Sequence, residues 1–157
     1  MLMFAKTEGA KRAFQDHWED IVKLRRYLAV VEGVPEVPSG TVRSFLRETA
    51  THLVYSSSDN TGKEAITHYK VLKSGEAYAL LDVQIDTGRK NQIRVHMKDM
   101  GHPVAGDKKY GASTNPMRRL GLHACELRLN HPETGQELCF TAKTPKEFKR
   151  MFPVNKE

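Results

Sequence analysis

The sequence predicts a domain of the α/β class in its α+β form, a mixed but mainly antiparallel sheet with flanking helices. Three observations predict it. Runs of alternating apolar residues are short and bounded by Gly, Pro, Asn or Asp. Several of these runs lie next to each other in the chain with turn signals between them, as antiparallel neighbours do. Apolar residues at helical spacing are confined to a stretch near the start, one in the middle and a short one at the end. At 157 residues, with no internal repeat and no low-complexity tract, the chain 1–157 is expected to form a single domain.

The first helix is expected from Thr7, its N-cap, through Ala10, Phe14, Trp18 and Ile21. A strand follows in which Tyr27, Ala29 and Val31 share one face and Leu28 and Val30 the other, apolar on both sides as in a strand inside a sheet. Gly33 and Pro35 end it, and Pro35 to Gly40 reads as a loop. Val42 to Glu48 and His52 to Ser57 read as a hairpin-like pair of short strands, and Asp59, Asn60 and Gly62 make a turn. Ala65 to Leu72 and Ala77 to Ile85 are expected to pair antiparallel around Ser74 and Gly75. A helix is expected over Arg89 to Met100, opened by Thr87 as N-cap and closed by Gly101 with Pro103 beyond, its stripe formed by Ile93, Met97 and Met100. Leu120 to Leu129 and Glu137 to Ala142 form the last strand pair around the turn His131 to Gly135, and a short helix spans Lys146 to Phe152.

Hydrophobic residues make up 39% of the chain and charged residues 28%, ordinary values for a globular protein. No apolar run reaches the length of a membrane span, and the N-terminus lacks the order of a signal peptide, so no membrane association and a cytoplasmic location are expected. Cys125 and Cys139 have no metal-type spacing and are expected to be buried small hydrophobes. The net charge of +6 fits a polyanionic partner. Basic residues collect at Lys23, Arg25 and Arg26, at Arg89, Lys90, Arg94 and Lys98, at Lys108 and Lys109, at Arg118 and Arg119, and from Lys143 to Arg150. One such cluster is ordinarily a solvated face; their recurrence at element boundaries points to nucleic-acid phosphates.

Asp86 to Gly111 reads DTGRKNQIRVHMKDMGHPVAGDKKYG. It resembles the long motif of the RluA-type pseudouridine synthases, in which T-G-R-x-x-Q-I-R-V-H is followed by G-H-P and then G-D-x-x-Y-G. Agreement at so many fixed offsets is far more specific than a lone glycine-rich loop. The likeness extends to both sides. Arg26 to Gly33, RYLAVVEG, resembles the family's strand with its tyrosine; Leu122-His123-Ala124 with His131-Pro132 resembles its later strand pair; Leu2 to Thr7, LMFAKT, resembles the end of its first motif. In the family, an H-R-L-D-x-x-T-S-G stretch with the catalytic aspartate immediately precedes that apolar run, and here Met1 stands where the stretch would be ending. The resemblance therefore implies a truncated pseudouridine synthase catalytic domain, with its aspartate and the earlier strands of the sheet upstream of Met1, and a chain that is inactive alone. Asp16 and Asp20, on the first helix, are expected at the surface. Loss of leading strands would leave an exposed edge and an apolar patch, which invites self-association.

The resemblance implies a reaction that breaks the glycosidic bond of a uridine in RNA, turns the uracil and rejoins it through a ring carbon, with no cofactor and no metal. Such a site needs a carboxylate, a group to remove the ring-carbon proton and a pocket for the detached base. Arg94 corresponds to the arginine that pairs with the catalytic aspartate, a planar cation suited to orienting a carboxylate; without that partner it would be an orphan charge. Tyr27 corresponds to the active-site tyrosine, whose ring can stack on the base. Leu122 would supply an apolar wall. Arg89, Lys90, Asn91 and Gln92 open the expected helix, where free amides favour a phosphate, although the family often has histidine in place of Asn91. His96, His102 and Asp107 match no metal-binding spacing. The implied partner is structured RNA, ribosomal RNA before transfer RNA. The alternatives are a non-catalytic RNA-binding module derived from the same fold and a structural remnant of a disrupted gene.

Overall fold

A computed structural model describes residues 3–152, so Met1 and Leu2, where the LMFAKT stretch begins, lie outside the described residues. The described elements are α1 (Glu8–Asp16), α2 (Trp18–Ile21), β1 (Val22–Glu32), β2 (Ser39–Glu48), β3 (Val54–Ser56), β4 (Lys63–Ser74), β5 (Tyr78–Ile85), α3 (Gln92–Asp99), β6 (Leu122–Asn130), β7 (Glu137–Thr141) and α4 (Lys146–Met151), with one 3-10 turn at Lys108–Tyr110. The strands form one seven-stranded sheet in the order β3-β2-β4-β5-β1-β6-β7, and every named pair is antiparallel. The expected α+β architecture with a mainly antiparallel sheet is the one observed.

Thr7 caps α1 by accepting the Ala10 amide on its hydroxyl. The single helix expected from Thr7 to Ile21 is in fact two pieces, because His17 leaves helical geometry at φ −126° and ψ 27°. α1 buries no side chain and α2 only Ile21, so no packing holds the pieces coaxial. Phe14 and Trp18 still meet across the break, with ring centroids 6.1 Å apart.

β1 is the spine of the sheet. It pairs with β5 on one side and β6 on the other, and Ala29, Val30 and Val31 are wholly buried. Its two apolar faces feed two cores. Ala29 and Val31 pack with Leu81, Val83, Ile93 and Met97 under α3, and Val30 packs with Met117, Phe148 and Phe152 under α4. Arg26 ties three strands together, donating from Nε and Nη2 to Asp82 of β5 at 2.7 and 3.0 Å and pairing with Glu126 of β6 at 3.4 Å. It is therefore a structural cation.

α3 begins later than expected. Asn91, in the left-handed region at φ 55°, precedes it, and Thr87 does not cap it. The Thr87 hydroxyl accepts the Ile66 amide and donates to the Gln92 side chain, whose Oε1 also accepts the Arg89 amide. Gln92, reaching back, has replaced the Thr87 cap. At the other end Gly101 adopts φ 81° and closes the helix as expected. The cysteines also depart from expectation: Cys139 is exposed and Cys125 half-buried, because β7 is an edge strand and Cys125 occupies an irregular step of β6.

Candidate active site

Tyr27 lies opposite Val83 of β5 and Ala124 of β6. Between Arg26 and Tyr27 the β6 register slips by one, leaving Cys125 as the extra residue. Such bulges re-aim side chains beside them. The half-buried Tyr27 ring stands as a shared wall between two concavities. One, of about 190 Å³, is lined by Ile85, Arg89, Asn91, Gln92, Ile93, Arg94 and Leu122. The other, of about 250 Å³, is lined by Met3, Trp18, Arg25, Ala124, Glu126 and Leu127. Burial holds the Tyr27 phenol above its ordinary value, with nearby Arg25 acting the other way, so it stays a neutral hydroxyl at physiological pH.

Arg94 is not the orphan expected from the sequence. Its Nε donates to Asp107 Oδ2 at 2.6 Å and its Nη2 to Asp107 Oδ1 at 2.7 Å, a bidentate pair with a carboxylate that is only 2% exposed. Nη1 donates to Asn91 Oδ1 at 3.0 Å, and the guanidinium lies over the Tyr110 ring at 4.7 Å. Asp107 raises the Arg94 pKa further, so the cation is permanent. A guanidinium has five N–H donors, and these three bonds leave two of them for a ligand. Asp107 takes the Nε–Nη2 edge; one hydrogen each on Nη1 and Nη2 remains. Arg94 therefore presents a fixed, partly open edge to the cavity wall it shares with Tyr27.

The turn before α3 and the first residue of the helix carry the four residues expected to meet phosphate, and each is already engaged. Arg89 Nε donates to the Glu64 carbonyl at 3.0 Å, and Lys90 pairs with Glu48. Asn91 donates to the Tyr110 hydroxyl at 3.1 Å. Gln92 is 2% exposed and donates inward to the Ile66 carbonyl and the Thr67 hydroxyl. Arg89 and Asn91 still line the Tyr27 cavity, whereas Lys90 turns toward another beside Glu48. Leu122, half-buried, closes the Tyr27 side.

Arg25, which the sequence shows only as part of a basic cluster, is a wall of the site that the sequence does not single out. It sits two positions before Tyr27, lines the second concavity and donates from Nη2 to the Asp86 carbonyl. Burial presses its pKa below the ordinary arginine value. The period-two alternation of β1 puts it on the Tyr27 face, and that was the available signal. Gly88 leaves room for it: a Cβ there would collide with Arg25 Nη1. Asp16 and Asp20 are exposed, as expected. No cluster of three potential metal ligands occurs among the described residues; His96 is fully buried between Thr67 and Ser44, and Asp107 is committed to Arg94.

The sequence profile of the family described as RNA pseudouridylate synthase matches residues 1–99, which include both Tyr27 and Arg94. The chain belongs to the RNA pseudouridylate synthase family. It is 35% identical over 148 residues to the uncharacterized RNA pseudouridine synthase YlyB of Bacillus subtilis, covering 94% of this chain and 49% of that relative. It is 32% identical over 167 residues to the ribosomal large subunit pseudouridine synthase D of Zymomonas mobilis, covering 98% of this chain and 52% of the relative. The solved structure titled human RNA pseudouridylate synthase domain containing 1 superposes with a TM-score of 0.74 at 25% identity, over 90% of this chain and 62% of that one. The chain thus spans about half the length of the curated relatives it matches. Of the groups that fix Arg94, Asp107 and Tyr110 lie beyond the matched span and Asn91 lies within it.

Proposed function

We propose that this chain is the base-receiving part of an RNA pseudouridine synthase, which converts uridine to pseudouridine in structured RNA and acts in the cytoplasm without a cofactor. One observation carries the reading. Tyr27, Arg89, Arg94 and Leu122, separated along the chain, line one cavity. A flipped uracil stacks on the Tyr27 ring, with Leu122 as apolar floor. The open edge of Arg94 orients the catalytic carboxylate, which comes from residues preceding Met1, so the 157-residue chain alone is inactive. The Tyr27 hydroxyl, kept neutral by burial, assists loss of the ring-carbon proton by hydrogen bonding once the base has rejoined, the proton itself passing to water. Ribosomal RNA is the substrate favoured by the names of relatives such as the large subunit synthase D. Self-association through a sheet edge exposed by the missing leading strands belongs to the same reading, and β7, an edge strand among the described residues with Phe140 44% exposed, is a further surface for it; a clean monomer in sedimentation at high concentration removes that part of the reading.

A second reading, a non-catalytic RNA-binding module, is favoured by the bidentate pairing of Arg94 with Asp107, the one carboxylate that it meets among the described residues. The deciding experiment maps the N-terminal peptides of the protein in its own cells. It then measures tritium release from RNA labelled at the uracil carbon that re-forms the bond. A protein extending upstream through an H-R-L-D-like stretch should release tritium, Arg94→Ala should abolish release, and the 157 residues alone should release none. A native start at Met1 with RNA binding but no release sinks the synthase reading and leaves the binding module.

A further inference from the structure

The sheet face opposite Tyr27 carries basic residues that the proposed reaction does not use. The segment from Gly106 to Gly121 passes from one face to the other. At its start Asp107 and Tyr110 hold Arg94. At its end Met117 is buried against Val30 and Phe148 on the α4 face. Arg118 follows with φ 53°, a left-handed conformation that costs a residue with a side chain about 1 kcal/mol or more. It is held there from both sides, by burial of Met117 and by the close approach of Gly106 to the Arg119 carbonyl, which no Cβ could share. The loop is thus a rigid bracket that delivers the exposed Arg118 side chain to a concavity of about 480 Å³ lined by Pro116, Met117, Glu147, Arg150 and Met151.

Around this concavity Arg118, Arg119, Lys146, Lys149 and Arg150 are all exposed. Among the described residues none of them forms an ion pair, although arginines elsewhere take Asp82, Glu126 and Asp107. Glu147 is the one acid in the concavity's lining. A cluster of unpaired cations set on a fixed loop and a short helix, with a partly apolar floor, suits a flexible polyanion whose counterions are released on contact. A protein partner would be expected to meet a flatter surface with a larger apolar centre.

We propose that Arg118 and Arg150, with Lys149 beside them, form a second contact for the phosphodiester backbone of RNA, on the sheet face opposite the uridine cleft. The inference rests on the RNA reading and deepens it: the cleft takes one nucleotide, and the back face grips backbone elsewhere in the same RNA. Because phosphate contacts carry no base information, this surface adds affinity and register without choosing the uridine.

The test measures binding of the full 157-residue chain to a fluorescein-labelled RNA stem-loop by anisotropy across a salt series. The variants are Arg118→Gln with Arg150→Gln, and as a charge-matched control Lys70→Gln with Lys73→Gln on exposed positions of β4. The first pair should lower the slope of log affinity against log salt by about 2 and the affinity at low salt about tenfold, while the control leaves the slope nearly unchanged. The unfolding midpoint of each variant, read by circular dichroism, should match that of the parent. If the parent binds and both pairs behave alike, the back-face contact is refuted while the RNA reading stands. If the parent binds no RNA, the RNA reading itself fails and the contact with it. If poly-glutamate displaces the RNA from the parent at equal charge concentration, the surface is one for an acidic protein, and the proposal is overturned.

Discussion

The two faces of the sheet use the same residue type in opposite ways. On the α3 face, the arginines lining the concavities end on internal acceptors: Arg25 on the Asp86 carbonyl, Arg89 on the Glu64 carbonyl, Arg94 on the Asp107 carboxylate. On the α4 face, Arg118 and Arg150 end in solvent. An engaged arginine is a positioned dipole-like wall whose remaining hydrogens point one way, suited to geometry-sensitive chemistry. A free arginine is a mobile charge suited to capturing a phosphate of any sequence. Charge counting alone does not separate the two; hydrogen-bond partners do.

The contrast predicts unequal costs. Asp107→Ala should be the most damaging single change, because it leaves the half-buried Arg94 cation without its carboxylate; a loss of about 3 kcal/mol or more in denaturant unfolding is expected. A loss below about 1 kcal/mol would show that water replaces Asp107 and that the cleft arginine is no more fixed than the back-face ones. The buried His96 should contribute the next effect. Burial lowers its pKa, with Asp99 acting weakly the other way, so the folded protein resists a proton that the unfolded chain accepts near pH 6.5. Its stability contribution is complete above that pH and is lost as pH falls through the lower folded value. The slope is at most about 1.4 kcal/mol per pH unit, and His96→Gln should flatten it. If unfolding midpoints of parent and variant fall in parallel from pH 7.5 to 5, the neutral-histidine account fails. Arg118→Gln with Arg150→Gln should change stability by less than about 0.5 kcal/mol, since neither side chain is packed. Gly88→Ala should be the mildest for stability, because the added Cβ meets only the far end of Arg25. It should nonetheless displace the Arg25 guanidinium, whose charge holds the Tyr27 phenol down against burial, so the phenol titration should move, a shift readable by ultraviolet titration.

Sequence legibility followed range. β1 was readable because both of its faces are apolar, and the hairpins because their turns carry Gly, Asn or Asp at fixed places. Tyr27 and Arg94 were readable only through the family motif, since a tyrosine on an apolar strand reads by default as core. The partner of Arg94 was not readable: Asp107 lies thirteen residues away across a loop whose path no periodicity describes. The Thr87 cap was misread for a similar reason, because a cap and a glutamine that reaches back compete for the same amides and only packing decides between them. The one-residue slip at Cys125 that sets Tyr27 between two concavities is invisible to a pattern of period two, which a bulge interrupts.

The break at His17 has a mechanical consequence. Ile21 is the only buried side chain of the two leading helices, so their amides should exchange with deuterium through a local opening, while those of Ala29 to Val31 wait for the whole sheet to unfold. Trp18 belongs to this weakly anchored unit and borders one side of Tyr27; α3 and its buried network border the other. The tyrosine therefore stands between a compliant wall and a stiff one, and any widening of the space beside it will be taken up on the Trp18 side.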